Sequence, residues 1–287
     1  MKTIKNIIKI SIFTLILILL TSCVSEMSYQ DIFGVDTSVT IESKTVYNEK
    51  DIKITSKRLF EEVEKNGQFV QAKLFLQFDV ENNSSNSIYI YSEYLCINDI
   101  MISSGCNEYF EAGTKGELNI QIFPSQKDGI SVIKNIECVL LIKNSDTDNE
   151  ITKTNVITLS TSVDQDHVLP KFDDGALVYS GKEANIYLKM TEDNSLQLYM
   201  ENKLNQTVNI MAYCTSVNNT PYEGFENNAH IVAGKQAFIY LSYLDSAINN
   251  NSTNKFGINI VIKDNTGKNL AFNKVIKDLG TIYVTIE

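Results

Sequence analysis

The chain repeats itself once, and this limits the architectures open to it more than any other feature. Val80-Glu81-Asn82 recurs as Met200-Glu201-Asn202, and Ser87-Ile88-Tyr89-Ile90 recurs as Thr207-Val208-Asn209-Ile210. Asn98 recurs as Asn218, Lys115 as Lys235, and Ile142-Lys143-Asn144 as Ile262-Lys263-Asp264, each 120 residues on; Ala112-Gly113 stands close to Ala233-Gly234. A period near 120 is too long for a solenoid unit and matches one domain per copy. Upstream the offset changes, because Val46-Tyr47 matches Val178-Tyr179 132 residues on. The first copy therefore carries about twelve extra residues near Leu59 to Ala72. They read as a lengthened hairpin turning at Lys65-Asn66-Gly67, with a short helical turn over Phe60 to Val63 as the alternative.

Each copy reads as strands. Val208, Ile210 and Ala212 alternate with Asn209, Met211 and Tyr213, and Ile258, Ile260 and Ile262 alternate with Asn259, Val261 and Lys263. Apolar residues at period two, with polar alternates, mean a half-buried strand. In the second copy strands are predicted near 184–190, 195–201, 207–217, 235–243, 256–263, 269–275 and 281–286, with Asn-rich and Gly-containing turns between them. The expectation is an all-β chain of two tandem immunoglobulin-like β-sandwich domains, with a jelly roll or another sandwich topology as the alternative. The antibody pattern of two cysteines around a tryptophan is absent, since the chain has no Trp.

The first residues bear on location. Lys2, Lys5 and Lys9 precede an apolar run from Ile10 to Leu20. That run is short of the roughly 20 residues a spanning helix needs, and it has the charge pattern of a secretory signal. It ends in Leu20-Thr21-Ser22-Cys23, which resembles the lipobox of bacterial lipoproteins. The resemblance implies cleavage before Cys23 and a diacylglycerol on its thiol. Two acyl chains hold a membrane stably where one does not. Residues 1–22 are thus read as signal peptide, 23–44 as a lipid-anchored tether without periodicity, 45–165 as the first sandwich and 172–287 as the second. The localisation expected is extracytoplasmic, anchored by lipid to the outer face of the cell membrane.

Charge narrows the partners. The chain has 35 acidic and 25 basic residues, and removal of residues 1–22 takes three lysines and no acid. Nucleic acid and anionic headgroups attract basic surfaces, so no nucleic-acid partner is expected. The chain has one arginine, Arg58, and is rich in Lys, Asn and Ile, a bias that resembles an AT-rich genome such as that of a low-GC Gram-positive bacterium. The pattern Glu-Asn, an alternating strand, an Asn turn and Ala-Gly before another strand resembles the immunoglobulin-like repeats of Gram-positive, clostridia-type surface lipoproteins of unassigned function. That resemblance spans roughly residues 42–287. It implies an extracytoplasmic β-sandwich and no catalytic residues.

Candidate chemistry is sparse. His167, in Asp164-Gln165-Asp166-His167, lacks a second ligand cluster at zinc spacing and reads as a solvated linker residue. His230 has no nucleophile motif beside it and reads as a loop histidine. Asp146-Thr147-Asp148-Asn149-Glu150 has acids at alternate positions, but position 151 is Ile, so a turn is favoured over a calcium loop. Cys138 lies on the face of Leu140 and Ile142 and reads as a small buried hydrophobe. Neither copy repeats the other's cysteines. Cys96 and Cys106 could bridge locally, since exported proteins allow disulfides, though sequence does not place the two Cβ atoms. No metal, cofactor or catalytic residue is expected.

The binding face proposed from sequence is Tyr89, Tyr91 and Glu93. They alternate with Ile88 and Ile90, which take the core side by comparison with Val208 and Ile210. Tyrosine offers contact area with a hydrogen-bonding tip, although exposed tyrosines on strands also simply pair with neighbours. The functional expectation is a cell-surface lipoprotein presenting two binding or adhesion modules to a protein or envelope component. The alternative is an accessory lipoprotein that scaffolds a membrane complex. The scarcity of His, Arg and Trp argues against an enzyme.

Overall fold

The computed structural model describes residues 27–66, 69–164, 166, 168–169, 172, 175–191, 195–224, 226–241, 254–265 and 274–286. The first copy supplies β1 (Thr45–Glu49), β2 (Ile52–Asn66), β3 (Phe69–Asn82), β4 (Ile88–Ile97), β5 (Ile100–Met101), β6 (Ser104–Gly105), β7 (Asn107–Phe110), β8 (Thr114–Ile122), β9 (Asn135–Asn144), β10 (Glu150–Lys153) and β11 (Ile157–Ser160). One sheet has the order β1-β2-β3-β8; in the other, β4 lies between β7 and β9, and β9 pairs with β10 and β11. The second copy supplies β12 (Ala176–Ser180), β13 (Ala184–Met190), β14 (Leu196–Asn202), β15 (Val208–Val217), β16 (Thr220–Pro221), β17 (Asn227–Ile231), β18 (Gln236–Leu241), β19 (Asn254–Asp264) and β20 (Val275–Ile286). Its sheets run β12-β13-β14-β18 and β17-β15-β19-β20. The order is the same in both copies. Setting aside the first strand of each, it is A-B-E against C′-C-F-G, an immunoglobulin-type sandwich. The chain is two such sandwiches in tandem.

The alternation read from sequence is the alternation that packs. Ile88 and Ile90 of β4, and Val208 and Ile210 of β15, are buried, as are Ile258, Ile260 and Ile262 of β19. Two separate apolar cores result, one in each sandwich. The extra residues of the first copy lengthen the β2–β3 hairpin, whose register continues to Asn66↔Phe69. Phe60 to Val63 are strand, not a helical turn. The turn at residues 67–68 lies outside the described residues. The β12 strand and β17 were not among the strands read from sequence. β20 runs from Val275 to Ile286, longer than the strand expected at 281–286, and the strand expected near 269–275 falls almost wholly on residues 266–273, outside the described residues.

The repeated polar residues have structural reasons. Asn82 is buried, and its Nδ2 donates to the carbonyls of Asn86, Phe110 and Glu111 at 2.9, 3.3 and 3.0 Å. Asn202 does the same to Gln206, Ile231 and Val232 at 2.9, 3.0 and 3.2 Å. Each side chain staples one turn to the strand opposite, adding a buried donor at carbonyls of which those of Glu111 and Val232 also accept the amides of Thr114 and Lys235. Asn98 and Asn218 have φ of 52° and 50°, the left-handed region that Asn tolerates better than most residues. Their Oδ1 atoms accept backbone N–H groups from Lys134 and Lys255.

The stretch expected as a tether is partly folded. Ser28 caps a short helix, α1 (Tyr29–Phe33), in a capping box with Asp31, and Gly34 closes it with φ 71°. Tyr29, Val35, Val39 and Ile41 belong to the first core. Apolar residues at 29, 35, 39 and 41 have no single period, which is why sequence does not show them as packed. Among the described residues no helix is long and apolar enough to cross a membrane.

Candidate functional site

The two sandwiches meet across a contact made by their own side chains. The amide of Gln236, at the start of β18, donates to the Asp99 carbonyl at 3.0 Å, and Gln236 pairs with Ile100. Lys235 Nζ lies 2.6 Å from Asp99 and 2.8 Å from Glu137 of the first sandwich. Burial opposes the Lys235 charge, but the hydrogen bonds to Asp99 and Glu137 outweigh it and hold the group above the ordinary lysine range. The Tyr240 hydroxyl donates to Asp128 at 2.8 Å, and Gln197 Nε2 donates to the Lys127 carbonyl at 2.6 Å. Burial pushes the Asp128 carboxyl up, and the bond from Tyr240 partly restores it. Phe172, from the connecting segment, packs against Tyr199 and Phe238 with ring centroids 5.3 and 5.1 Å apart. Its ring occupies the space where Gly129 has no side chain, and a Cβ there would collide with it.

Beside this contact opens a cleft of about 650 Å³ walled by both sandwiches. The first contributes Ser92, Glu93 and Tyr94 of β4 and the segment Met101 to Ser104; the second contributes Thr207, Asn228, Ala229, His230, Val232, Ala237, Phe238 and Asn265. Ser92 and Ser104 hydroxyls are 3.0 Å apart. The volume is that of a small-ligand or peptide-side-chain site. Its wall combines hydroxyls, amides and one carboxylate with two aromatic rings, so it can hydrogen-bond a polar group and stack a flat or apolar one.

Of the residues proposed from sequence, only Glu93 reaches this cleft. β4 has a bulge between Ser92 and Tyr94 where it pairs with β9, and a bulge re-aims the side chains at its position. Glu93 is exposed there and pairs with Lys153 at 2.5 Å. Tyr89 and Tyr91 are half-buried on the outer face, as the alternation indicated. Tyr89 lies against Tyr91 and Tyr109, with centroids 6.2 and 5.3 Å apart, and Lys143 sits 5.4 Å over the Tyr91 ring. The three form an aromatic cluster leading along β4 toward Glu93. Cys23 lies outside the described residues, as does His167.

His230 is the residue whose position sequence reasoning missed. It sits on β17 opposite Asn209, half-buried, in the wall of the cleft. Burial lowers its pKa, and the Glu93 charge partly opposes that shift. The available signal was the strand repeat: Ile88 pairs with Phe110 and Val208 with Ile231, which makes His230 the counterpart of Tyr109.

The acidic run at 146–150 is a turn. Asn144 Oδ1 accepts from the amides of Asp146 and Thr147, each at 3.0 Å, and Asp148 has φ 56°. Cys96, Cys106, Cys138 and Cys214 are free. Cys96 Sγ contacts Met101 Sδ, and Cys106 donates to the Ile90 carbonyl, so the local bridge does not form. Burial pushes the Cys96, Cys106 and Cys138 thiols up to about 12, which leaves them poor nucleophiles. Among the described residues no group of three or more His, Cys, Asp or Glu side chains is placed to hold a metal ion.

No family model and no curated protein matches the chain. Among solved structures, the pre-assembly complex of chaperone CsuC and tip adhesion subunit CsuE, from the archaic chaperone-usher Csu pili of Acinetobacter baumannii, matches at 11% identity with a TM-score of 0.22, covering 74% of this chain and 90% of that one. The immunoglobulin-type sandwich rests on the strand order itself.

Proposed function

We propose that the chain is a lipid-anchored, extracytoplasmic binding protein that holds a polar segment of its partner in the cleft between its two sandwiches. The carrying observation is the cleft's composition from both copies: neither sandwich has the site alone, and the Lys235 ion pairs and the Phe172 packing join the two. Glu93, Ser104, Asn228 and His230 supply the polar contacts. Tyr89 and Tyr91, on the strand that runs into the cleft, extend the surface for a partner longer than the cleft. The lipobox-like Leu20-Thr21-Ser22-Cys23 supports anchoring through a diacylated Cys23. Nothing in this reading requires a catalytic group.

The test is photo-crosslinking in the intact envelope, with a benzophenone amino acid placed at Asn228 or Ser104. Both positions should capture the same partner, and Glu93→Gln with Tyr91→Thr should reduce capture at least about tenfold, the loss expected when a central charge and an aromatic contact go together. No adduct from either position, or the same adduct from Tyr283 on β20, at the opposite edge of the sheet from β17, would defeat the cleft as the site.

A further inference from the structure

The chain is fastened to the first sandwich almost as soon as it leaves Cys23. Ser28 begins the capped helix, five residues after Cys23. Tyr29 is buried, its amide donates to Glu61 at 2.8 Å, and its hydroxyl donates to the Pro124 carbonyl at 2.9 Å. Thr37 also donates to Glu61. Beyond that, Asp36 and Ile41 make bridges to Val132 and Thr161. Five residues reach at most about 18 Å, however they are arranged.

Around this fastening point apolar side chains are exposed, interspersed with the carboxylates of Asp31, Glu62 and Glu64. Met27, Phe33, Val63 and Phe123 are exposed at 41, 36, 38 and 46%. The Phe33 ring lies 4.4 Å from that of Tyr29. Phe123 adjoins Pro124, and Val63 is two residues from Glu61 on β2, on the strand face that Glu61 uses to hold the helix. Exposed apolar residues near one another on a folded surface mark a contact surface.

We propose that this rim of the first sandwich rests in the interfacial layer of the bilayer that holds Cys23, so the protein is seated on the membrane and not displayed on a stalk. The proposal rests on the lipid-anchor reading. The short reach commits the rim to that one occupant, since an acylated Cys23 leaves it nowhere farther to go. The chain's excess of acidic residues gives no electrostatic attraction to anionic headgroups, so the contact is carried by the apolar side chains.

The absence of Trp provides the probe. The full chain carrying Phe33→Trp, Phe123→Trp or Tyr283→Trp, each with a single tryptophan, is placed in vesicles of phosphatidylcholine and phosphatidylglycerol with plain or dibrominated acyl chains. Residues seated roughly 5–10 Å into the interface should lose about half of their emission to the bromines. That loss is expected for Phe33→Trp and Phe123→Trp and not for Tyr283→Trp. Flotation and alkyne-fatty-acid labelling of the same preparations, with Cys23→Ala as control, separate the two readings. Vesicle-bound, labelled protein whose emission does not change with bromination overturns the seating and leaves the anchor standing. Label on Cys23→Ala equal to wild type, or no flotation of wild type, overturns the anchor and the seating with it. Equal quenching at all three positions, or bromine-independent quenching that grows with protein concentration as a second copy covers the rim, also overturns the seating.

Discussion

Lys115 and Lys235 stand at the start of the same strand in the two copies, one register position apart, since Lys115 lies opposite Glu81 and Gln236 opposite Glu201, and the fold uses them differently. Lys115 is 69% exposed and pairs with Glu81 of its own sandwich at 2.7 Å. Lys235 is 15% exposed and reaches across to Asp99 and Glu137. The same divergence marks the outer face: Tyr89 and Tyr109 in the first copy stand where Asn209 and His230 stand in the second. The β4 bulge falls at Glu93, whereas that of β15 falls at Thr215, two residues later in the repeat. Core positions preserve the sandwich in both copies, while positions facing the other copy build a junction and a cleft.

The largest expected effect tests what the copies share. Asn82→Ala and Asn202→Ala each remove a buried amide that donates to three carbonyls and should each cost about 3 kcal/mol, somewhat more than a single lost hydrogen bond. Calorimetry should show one transition lowered by each substitution if the sandwiches unfold as separate units. A loss confined to one of the two variants would break the equivalence of the staples.

A smaller effect tests where they differ. Lys235→Met strands two carboxylates at the junction and should cost about 2 kcal/mol, below the range for a fully buried pair. Lys115→Met removes a solvated pair and should cost no more than about 0.5 kcal/mol. Urea denaturation of the two variants compares them directly, and equal losses would mean that Lys235 contributes no more than a surface ion pair.

The smallest effect is in pH. Burial lowers the His230 pKa in the folded chain, with Glu93 partly opposing. The unfolded chain therefore takes the proton first as pH falls below about 6.5, so this contribution to stability is present above that pH and lost below it. His230→Gln should flatten the fall in stability between neutral pH and pH 5, while Tyr109→Phe, at the matching position of the first copy, should leave it unchanged. An unaltered slope in His230→Gln would show that the histidine titrates in the fold as it does in the open chain.

Parity and steric preference are properties of neighbouring residues, and they carry what was legible from sequence alone. Ile88 and Ile90 face the core because side chains alternate along a strand. Asn98 and Asn218 mark turns because their φ is positive, and the 120-residue offset declares two copies because each is a whole sandwich. The lengthened hairpin was legible for the same reason, as an insertion between two matched segments. Tertiary structure decided what depends on residues far apart in sequence. Tyr29 packs only because Pro124 and Glu61 are brought beside it, and Lys235 pairs only because β18 meets the turn at Asp99. The cleft joins Glu93 to His230 across 137 positions of chain through a bulge and an interdomain contact that have no period to betray them.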